Sequence, residues 1–404
     1  MRRYRVMKIE YIDNDYSKGI KYDLNFIVKE CKKLKIFPEG VWNPLHLLTK
    51  NNGINFLFSE RSVGKTTGLL LLGMVFNKYY NVRLHYIRET KAETNGTIVK
   101  DLFTTINSCG YVEKITSGRW NRVLYFQNER KWYYVNQDNE GNIEEKANEC
   151  LMFAMGCDKS DDYKSGYNCP TADFIILDEA LKISGYKNYY ANFQDILSTL
   201  LRFRVSGFVF IIGNTVDYSS YWLSEYMIAD TVRSMNKGEY REVTLDKGTQ
   251  VYIEYIADEK ISKKKVAVNK RYFGYSNSRL ASVTGSGWAS KDYPHMPDID
   301  YSILLNNIYI EYNSCLINLE LLKTEKFGLL VYAHKATKTY KDSYIYSDVI
   351  KNDERYNFRF GKGNKIDCLI WDNLYKSGKF RYATNTDGHI VESYTKACIQ
   401  GRLL

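Results

Sequence analysis

The stretch "INFLFSERSVGKTTGLLLL", Ile54 to Leu72, constrains the fold more than any other part of the chain. An apolar run of strand length passes through a short polar loop into a second, longer apolar run, with Gly64-Lys65-Thr66 at the joint. A strand that re-emerges from a loop as a helix gathers free backbone N–H groups and the positive end of the helix dipole at one point, where a phosphate chain is favoured. In that setting Lys65 reaches the β- and γ-phosphates of ATP and the Thr66 hydroxyl ligates Mg²⁺. Gly-Lys-Thr by itself is a weak signal; the strand before it and the apolar helix after it make it strong. The expected nucleotide contacts are Ser59, Arg61, Ser62, Val63, Gly64, Lys65, Thr66 and Thr67. The loop departs from the usual pattern at its first position, which is Ser59 rather than glycine. That departure costs little if Ser59 needs no positive φ.

From Ile54 to Tyr226 strand-like and helix-like patterns alternate: "INFLF", a helix from Thr66, "VRLHYIR", a second helix, a hairpin around "GRWNRVLYFQNERKWYYV", then "DFIILDE", a further helix, and "GFVFIIGN". Apolar strands alternating with helices imply an α/β core, a mostly parallel sheet covered on both faces. The partner motif of a phosphate loop is an apolar strand ending in carboxylate, and "FIILDEA" supplies it. Asp178 is expected to hold Mg²⁺ and Glu179 to polarise the attacking water, the ASCE arrangement of P-loop ATPases that carry a catalytic glutamate on the metal-binding strand. Asn214, at the end of "GFVFIIGNT", is either a sensor of the γ-phosphate or a turn residue. Arg88, at the end of "VRLHYIR", lies either beside the nucleotide or against DNA.

A chain of 404 residues with 44% hydrophobic content is long enough for two or three domains. No run approaches the eighteen or so apolar residues of a membrane span, and the N-terminal stretch lacks the apolar centre of a signal peptide, so no membrane partner and a cytosolic location are expected. Eight cysteines without a CxxC pair argue against a zinc ribbon or a disulfide framework. A net charge of +10 favours a polyanionic partner. Residues 1 to about 50 read as a helical lead-in, and beyond about Asp230 the chain becomes lysine-rich, as in a connecting segment. Lys260, Lys263, Lys264, Lys265, Lys270 and Arg271, beside Tyr272, Phe273 and Tyr275, either track a phosphate backbone or form a solvated hairpin.

Between Ile54 and Tyr226 the sequence resembles the large terminase and encapsidation ATPases of tailed phages, especially those of small podoviruses with protein-primed genomes. The resemblance rests on the arginine in the glycine-poor loop "SERSVGKT", on "KSDDYKSG" ahead of the Asp-Glu strand, and on "GNTVDYSSYW" after the third strand. It implies that Arg61 reads the bound phosphates. It also implies that an arginine from the end of "NFQDILSTLLRFR", Arg202 or Arg204, reaches a neighbouring subunit's ATP; a helix-dipole contact alone also accounts for an arginine there. The domains implied are a P-loop ATPase domain over 1–228, a basic linker or lid over 229–300, and an RNase H-like α+β domain over 301–404. A live two-metal nuclease needs three or four converging carboxylates. The strand candidate "NNIYIEYNSCLINLEL" offers Glu311 and Glu320, and "KIDCLIWDNLY" offers Asp367 and Asp372, with Asn313 where an acid is expected, which favours a vestigial nuclease.

The leading expectation is an ATP-driven motor that moves double-stranded DNA into a viral prohead as a homo-oligomeric ring. It would work in the host cytoplasm and meet the prohead or portal, with or without a structural RNA between them. A P-loop helicase or replication initiator is the alternative, and a DNA-binding structural protein with a degenerate nucleotide site is the third.

Overall fold

A computed structural model describes residues 22–49, 53–60, 63–95, 97–164, 173–180, 189–201, 207–214, 220, 222–223, 226–245, 248–257, 293–298, 302–312, 315–341, 343–347, 353–357, 371 and 373–399. Among them, ten strands form one sheet and six another.

The larger sheet is built around β1 (Ile54–Ser59), β2 (Leu84–Arg88), the hairpin β3 (Arg122–Phe126) and β4 (Lys131–Gln137), β5 (Ile143–Lys146), β6 (Met152–Gly156), β7 (Phe174–Leu177), β8 (Phe208–Asn214), β9 (Tyr240–Thr244) and β10 (Gln250–Ile256). Their spatial order is β3-β4-β6-β2-β7-β8-β1-β10-β9, with β5 beside β4. From β6 to β10 every neighbouring pair is parallel, and the antiparallel strands lie at the two flanks. The parallel strands are buried on both faces, which is why they read as unbroken apolar runs rather than as alternating ones. The fold is therefore a mixed α/β architecture built on a large, mostly parallel sheet.

One face is covered by α1 (Leu24–Leu34), α2 (Lys65–Tyr80) and the short helices between β2 and β3; α3 (Tyr190–Leu200) with Trp222, Leu223, Tyr226, Ile228 and Val232 covers the other. Asp23 caps α1 by accepting from the Phe26 N–H at 2.9 Å. The helix α2 runs in the tight space between the sheet and the lead-in. A Cβ on Gly68 would stand 2.4 Å from the Trp42 carbonyl oxygen, so only glycine allows this approach.

Three expectations change. The single helix expected between β2 and the hairpin is broken into short pieces, among them Thr97–Lys100, Thr104–Ser108 and Tyr111–Thr116, the last entered through Gly110 at φ 69°. The core does not close at residue 228. β10 pairs in parallel with β1 over Ile54–Ser59, so β9 and β10, expected in the basic linker, complete the large sheet. Alternation of Val251, Ile253 and Tyr255 with half-polar neighbours hid a strand that is buried only because β1 needs a second partner. Finally, "NNIYIEYNSCLINLEL" is two strands rather than one.

Those two are β11 (Ser302–Tyr312) and β12 (Cys315–Thr324); with β13 (Gly328–Lys335) they form an antiparallel meander. The strands β14 (Ile345–Ser347), β15 (Tyr356–Asn357) and β16 (Phe380–Tyr382) join in parallel, giving the order β15-β14-β11-β12-β13-β16. The helix α4 (Asn385–Ile399) packs Ile390, Val391 and Tyr394 on Ile308, Ile310, Ile317 and Val331. Trp371 and residues 373–376 are helical.

Candidate nucleotide site

Ser59 is the last residue of β1, fully buried, and lies outside the left-handed region. The missing glycine is therefore tolerated because strand geometry needs none there. The positive φ falls instead on Gly64 (83°), the residue before α2, where a Cβ would come within 2.9 Å of the Val41 Cα. Trp42 N–H donates to the Val63 carbonyl at 3.1 Å, so the lead-in braces the loop from behind.

Lys65 opens α2 and is buried. Its Nζ donates to Ser59 Oγ at 2.6 Å and to Asn214 Oδ1 at 3.4 Å. That second contact depends on sheet order: β8 lies between β1 and β7, so its terminal residue stands between the two motif strands. Thr66 Oγ1 donates to Asp178 Oδ2 at 3.4 Å. A hydroxyl and a carboxylate side by side are hard oxygen donors of the kind Mg²⁺ takes.

Beyond Asp178 the chain turns sharply. Glu179 has φ 55°, in the left-handed region that a non-glycine residue occupies at a cost, and its N–H is held by Asp178 Oδ1 at 2.8 Å. Its half-exposed carboxylate meets Arg88 Nη2 at 2.6 Å. Arg88 Nη1 donates to the Tyr86 hydroxyl at 3.3 Å, and that hydroxyl donates to Asp178 Oδ2 at 2.8 Å. Arg88 also lies 3.6 Å from Asp178 and 3.7 Å from Glu93. Burial disfavours the Arg88 charge, but the field of Tyr86, Asp178, Glu179 and Glu93 outweighs it and raises the guanidinium pKa. Burial, with Asp178 alongside, pushes the Tyr86 phenol far up, so it stays a donor.

Two hydrogen-bonded sets thus stand side by side, Lys65 with Ser59 and Asn214, and Asp178 with Thr66, Tyr86 and the Glu179 N–H; Arg88 joins the second through Tyr86 and Glu179. Val63 and Gly64 form the loop's exit, and Thr67 is half-buried in the first turn of α2. Arg61, Ser62, Arg202 and Arg204 lie outside the described residues. Sequence reasoning missed Tyr86, Glu93 and the bracing residues Val41 and Trp42. Tyr86 was within reach: it shares a strand face with Arg88 two residues on, and both face the strand that carries Asp178.

No family model and no curated protein matches the sequence. Solved structures do match. The chain aligns with the Phi-28 gp11 DNA packaging motor at 12% identity and a TM-score of 0.53, covering 90% of this chain and 99% of that one. The bacteriophage Phi-29 viral genome packaging motor assembly aligns at 14% identity and a TM-score of 0.54, with 89% and 100% covered. The chain has the fold of these two motors. The alignment runs over both sheets, so the likeness extends beyond the "Ile54 to Tyr226" region in which the sequence resemblance was legible.

In the six-stranded sheet the described acids do not converge. Glu320 pairs across the strands with Asn307, four residues from Glu311 along β11, or about 13 Å at the usual rise of a strand. Glu320 instead meets His334 Nε2 at 3.4 Å and Asn318 Nδ2 at 3.2 Å. Asp367, Asp372, Asn313 and the Lys260 to Arg271 cluster lie outside the described residues. No helix among the described residues is long and apolar enough to cross a membrane.

Proposed function

We propose that this protein is an ATPase that drives double-stranded DNA into a viral prohead. The observation that carries this reading is the pairing of Lys65 with Asn214 and of Thr66 with Asp178, side by side at one edge of a sheet whose fold is that of two phage packaging motors. Lys65 neutralises charge on the transferred phosphoryl group, while Asn214, already within reach of Lys65, reads whether that group is present. Thr66 and Asp178 hold Mg²⁺, which supplies charge neutralisation at the phosphates. Glu179 polarises the attacking water.

As it stands, one Glu179 oxygen is occupied by Arg88 at 2.6 Å and is not free to accept a hydrogen bond from the attacking water. Productive hydrolysis then requires Arg88 to loosen its hold once nucleotide arrives. Arg61 reads phosphates within the loop, and Arg202 or Arg204 serves the neighbouring subunit's ATP in a homo-oligomeric ring attached to the prohead or portal in the host cytoplasm, with or without a structural RNA between them. The six-stranded sheet is read as an RNase H-like domain without nuclease activity; its meander flanked by the parallel β14 and β15 supports the fold, and the separation of Glu311 from Glu320 supports the lack of cutting.

The test is ATP turnover with and without duplex DNA. Stimulation by duplex of any sequence, with no strand separation in an unwinding assay, is expected. Turnover that responds only to single strands, or measurable unwinding, would replace this reading with the helicase.

A further inference from the structure

The tip of the β3–β4 hairpin carries a cation that the nucleotide site does not use. Arg130 closes the turn, its N–H donating to the Gln127 carbonyl at 3.3 Å, and it does so at φ 56°, where glycine or asparagine is the easy choice. Its guanidinium is half-buried among neutral groups. Nη2 donates to Thr94 Oγ1 at 2.7 Å and Nη1 to the Tyr163 hydroxyl at 3.4 Å, while Nε is buried with no hydrogen-bond partner. Arg83, Arg88, Arg119, Arg241 and Arg355 each stand within 4.0 Å of a carboxylate; Arg130 has none so close among the described residues. Its own neighbour Glu129 is turned away, bonded to Lys146 and Tyr133. A strained arginine held ready by hydroxyls, without an anion, is a site lacking its counter-charge.

Position says where that charge comes from. The Arg130 carbonyl accepts from the Ala154 N–H at 2.9 Å, near the carboxyl end of β6, and β6 runs parallel to β2 with Gly156 beside Arg88. The hairpin tip therefore projects from the same edge of the sheet as the nucleotide site. Five strand spacings separate β4 from β1, about 24 Å, too far for the subunit's own nucleotide. Lys131, next along the hairpin, lies over the Phe153 ring of β6 at 5.3 Å.

We propose that Arg130 is a contact for a backbone phosphate of the polynucleotide. This rests on the reading of the chain as a DNA motor and names a part of its grip on the strand. Arginine suits the task because its fork can keep one nitrogen on Thr94 or Tyr163 while offering another N–H to a phosphate oxygen.

The experiment uses the full chain and a short mixed-sequence duplex, with affinity followed across salt concentration for the wild type, Arg130→Gln and Arg130→Lys, and thermal melting as the check on folding. Arg130→Gln is expected to weaken binding several-fold and to lower the log–log salt slope by about 0.9, the value of one phosphate contact, whereas Arg130→Lys keeps most of the slope. A folded Arg130→Gln with wild-type affinity and slope overturns the proposal. Should that variant not fold, modification of wild-type Arg130 by phenylglyoxal, read by peptide mass, decides instead. Duplex DNA or duplex RNA is expected to protect it, and whichever protects identifies the source. Protection by ATPγS alone would assign the phosphate to a neighbour's nucleotide and overturn the backbone contact, as would equal modification with and without polynucleotide. A wild type that binds no duplex at any salt sinks this inference, while ATP turnover lost in Lys65→Ala would still uphold the ATPase.

Discussion

The two sheets of this protein treat their polar residues in opposite ways. In the large sheet the six central strands run parallel, so each delivers its last residue to the same edge, and Ser59, Arg88, Asp178 and Asn214 meet there though they are far apart in sequence. In the small sheet the central strands run antiparallel, so side chains near strand ends are sent to opposite edges. Glu311 and Glu320 sit on neighbouring strands yet about 13 Å apart. Parallel order concentrates charge into a site; a meander disperses it unless residues are aligned across the strands, as Asn307, Glu320 and Tyr332 are.

The sharpest break of this contrast is at the parallel edge. Lys65→Ala is expected to abolish ATP turnover, and Glu179→Gln to lower it by about 10²-fold or more while ATP still binds, because a positioned base contributes 10²–10⁴ to rate. Steady-state turnover alongside nucleotide binding checks both. Near-normal turnover in Glu179→Gln would show that the Asp178–Glu179 turn serves the fold rather than the chemistry.

A smaller effect is expected from Tyr86→Phe, which removes the donor to Asp178 and the acceptor for Arg88 without changing the ring. Loss of one such bond is worth about 1 kcal/mol, or roughly five-fold in the Mg²⁺ concentration needed for half-maximal turnover. Mn²⁺ binding in the presence of nucleotide should weaken in step. An unchanged metal requirement would reduce Tyr86 to packing.

His85 tests the middle of the same strand, away from its edge. It is fully buried, stacked on Phe153 at 5.1 Å, and burial pushes its pKa down to about 3. The folded chain keeps it neutral, whereas the unfolded chain takes up a proton below about pH 6.5. Stability from this group is therefore intact above 6.5 and lost as pH falls towards 3. Denaturant titrations of His85→Leu should have a pH slope in that window shallower by up to about one proton than the wild type.

The least effect is expected in the dispersed sheet. Glu311→Gln with Glu320→Gln should leave ATP turnover within two-fold of the wild type, and plasmid DNA should stay intact with Mg²⁺ or Mn²⁺ before and after the change. Cleavage by the wild type that disappears in the double variant would mean that the small sheet gathers a metal site after all.

The strands and the polar residues that gather at their ends were legible in sequence for one reason: a buried parallel strand is mostly apolar, so a polar residue at its end stands out. Asp178 and Asn214 were found that way. Tyr86 escaped because a tyrosine inside an apolar strand reads as core, and its hydroxyl acquires a role only when β7 brings Asp178 to 2.8 Å. The strand β10 escaped because its alternating pattern matched an exposed strand as well as a buried one. Arg130 escaped because nothing in "QNERKW" reveals that Glu129 turns to Lys146 and leaves the arginine without a carboxylate within 4.0 Å among the described residues.

Composition and pattern alone determined that this chain folds around a mostly parallel sheet, that a short loop carrying Gly64 joins β1 to α2, and that an Asp-Glu pair ends a buried strand. Those features follow from local rules of burial and backbone geometry, which a sequence carries in its own order. Tertiary structure alone decided which strand lies between the motif strands, that Arg88 holds Glu179, that the lead-in braces Gly64, and that the acids of the small sheet stand apart. Each of these depends on strand order and register, which bring together residues whose separation along the chain carries no trace of their contact.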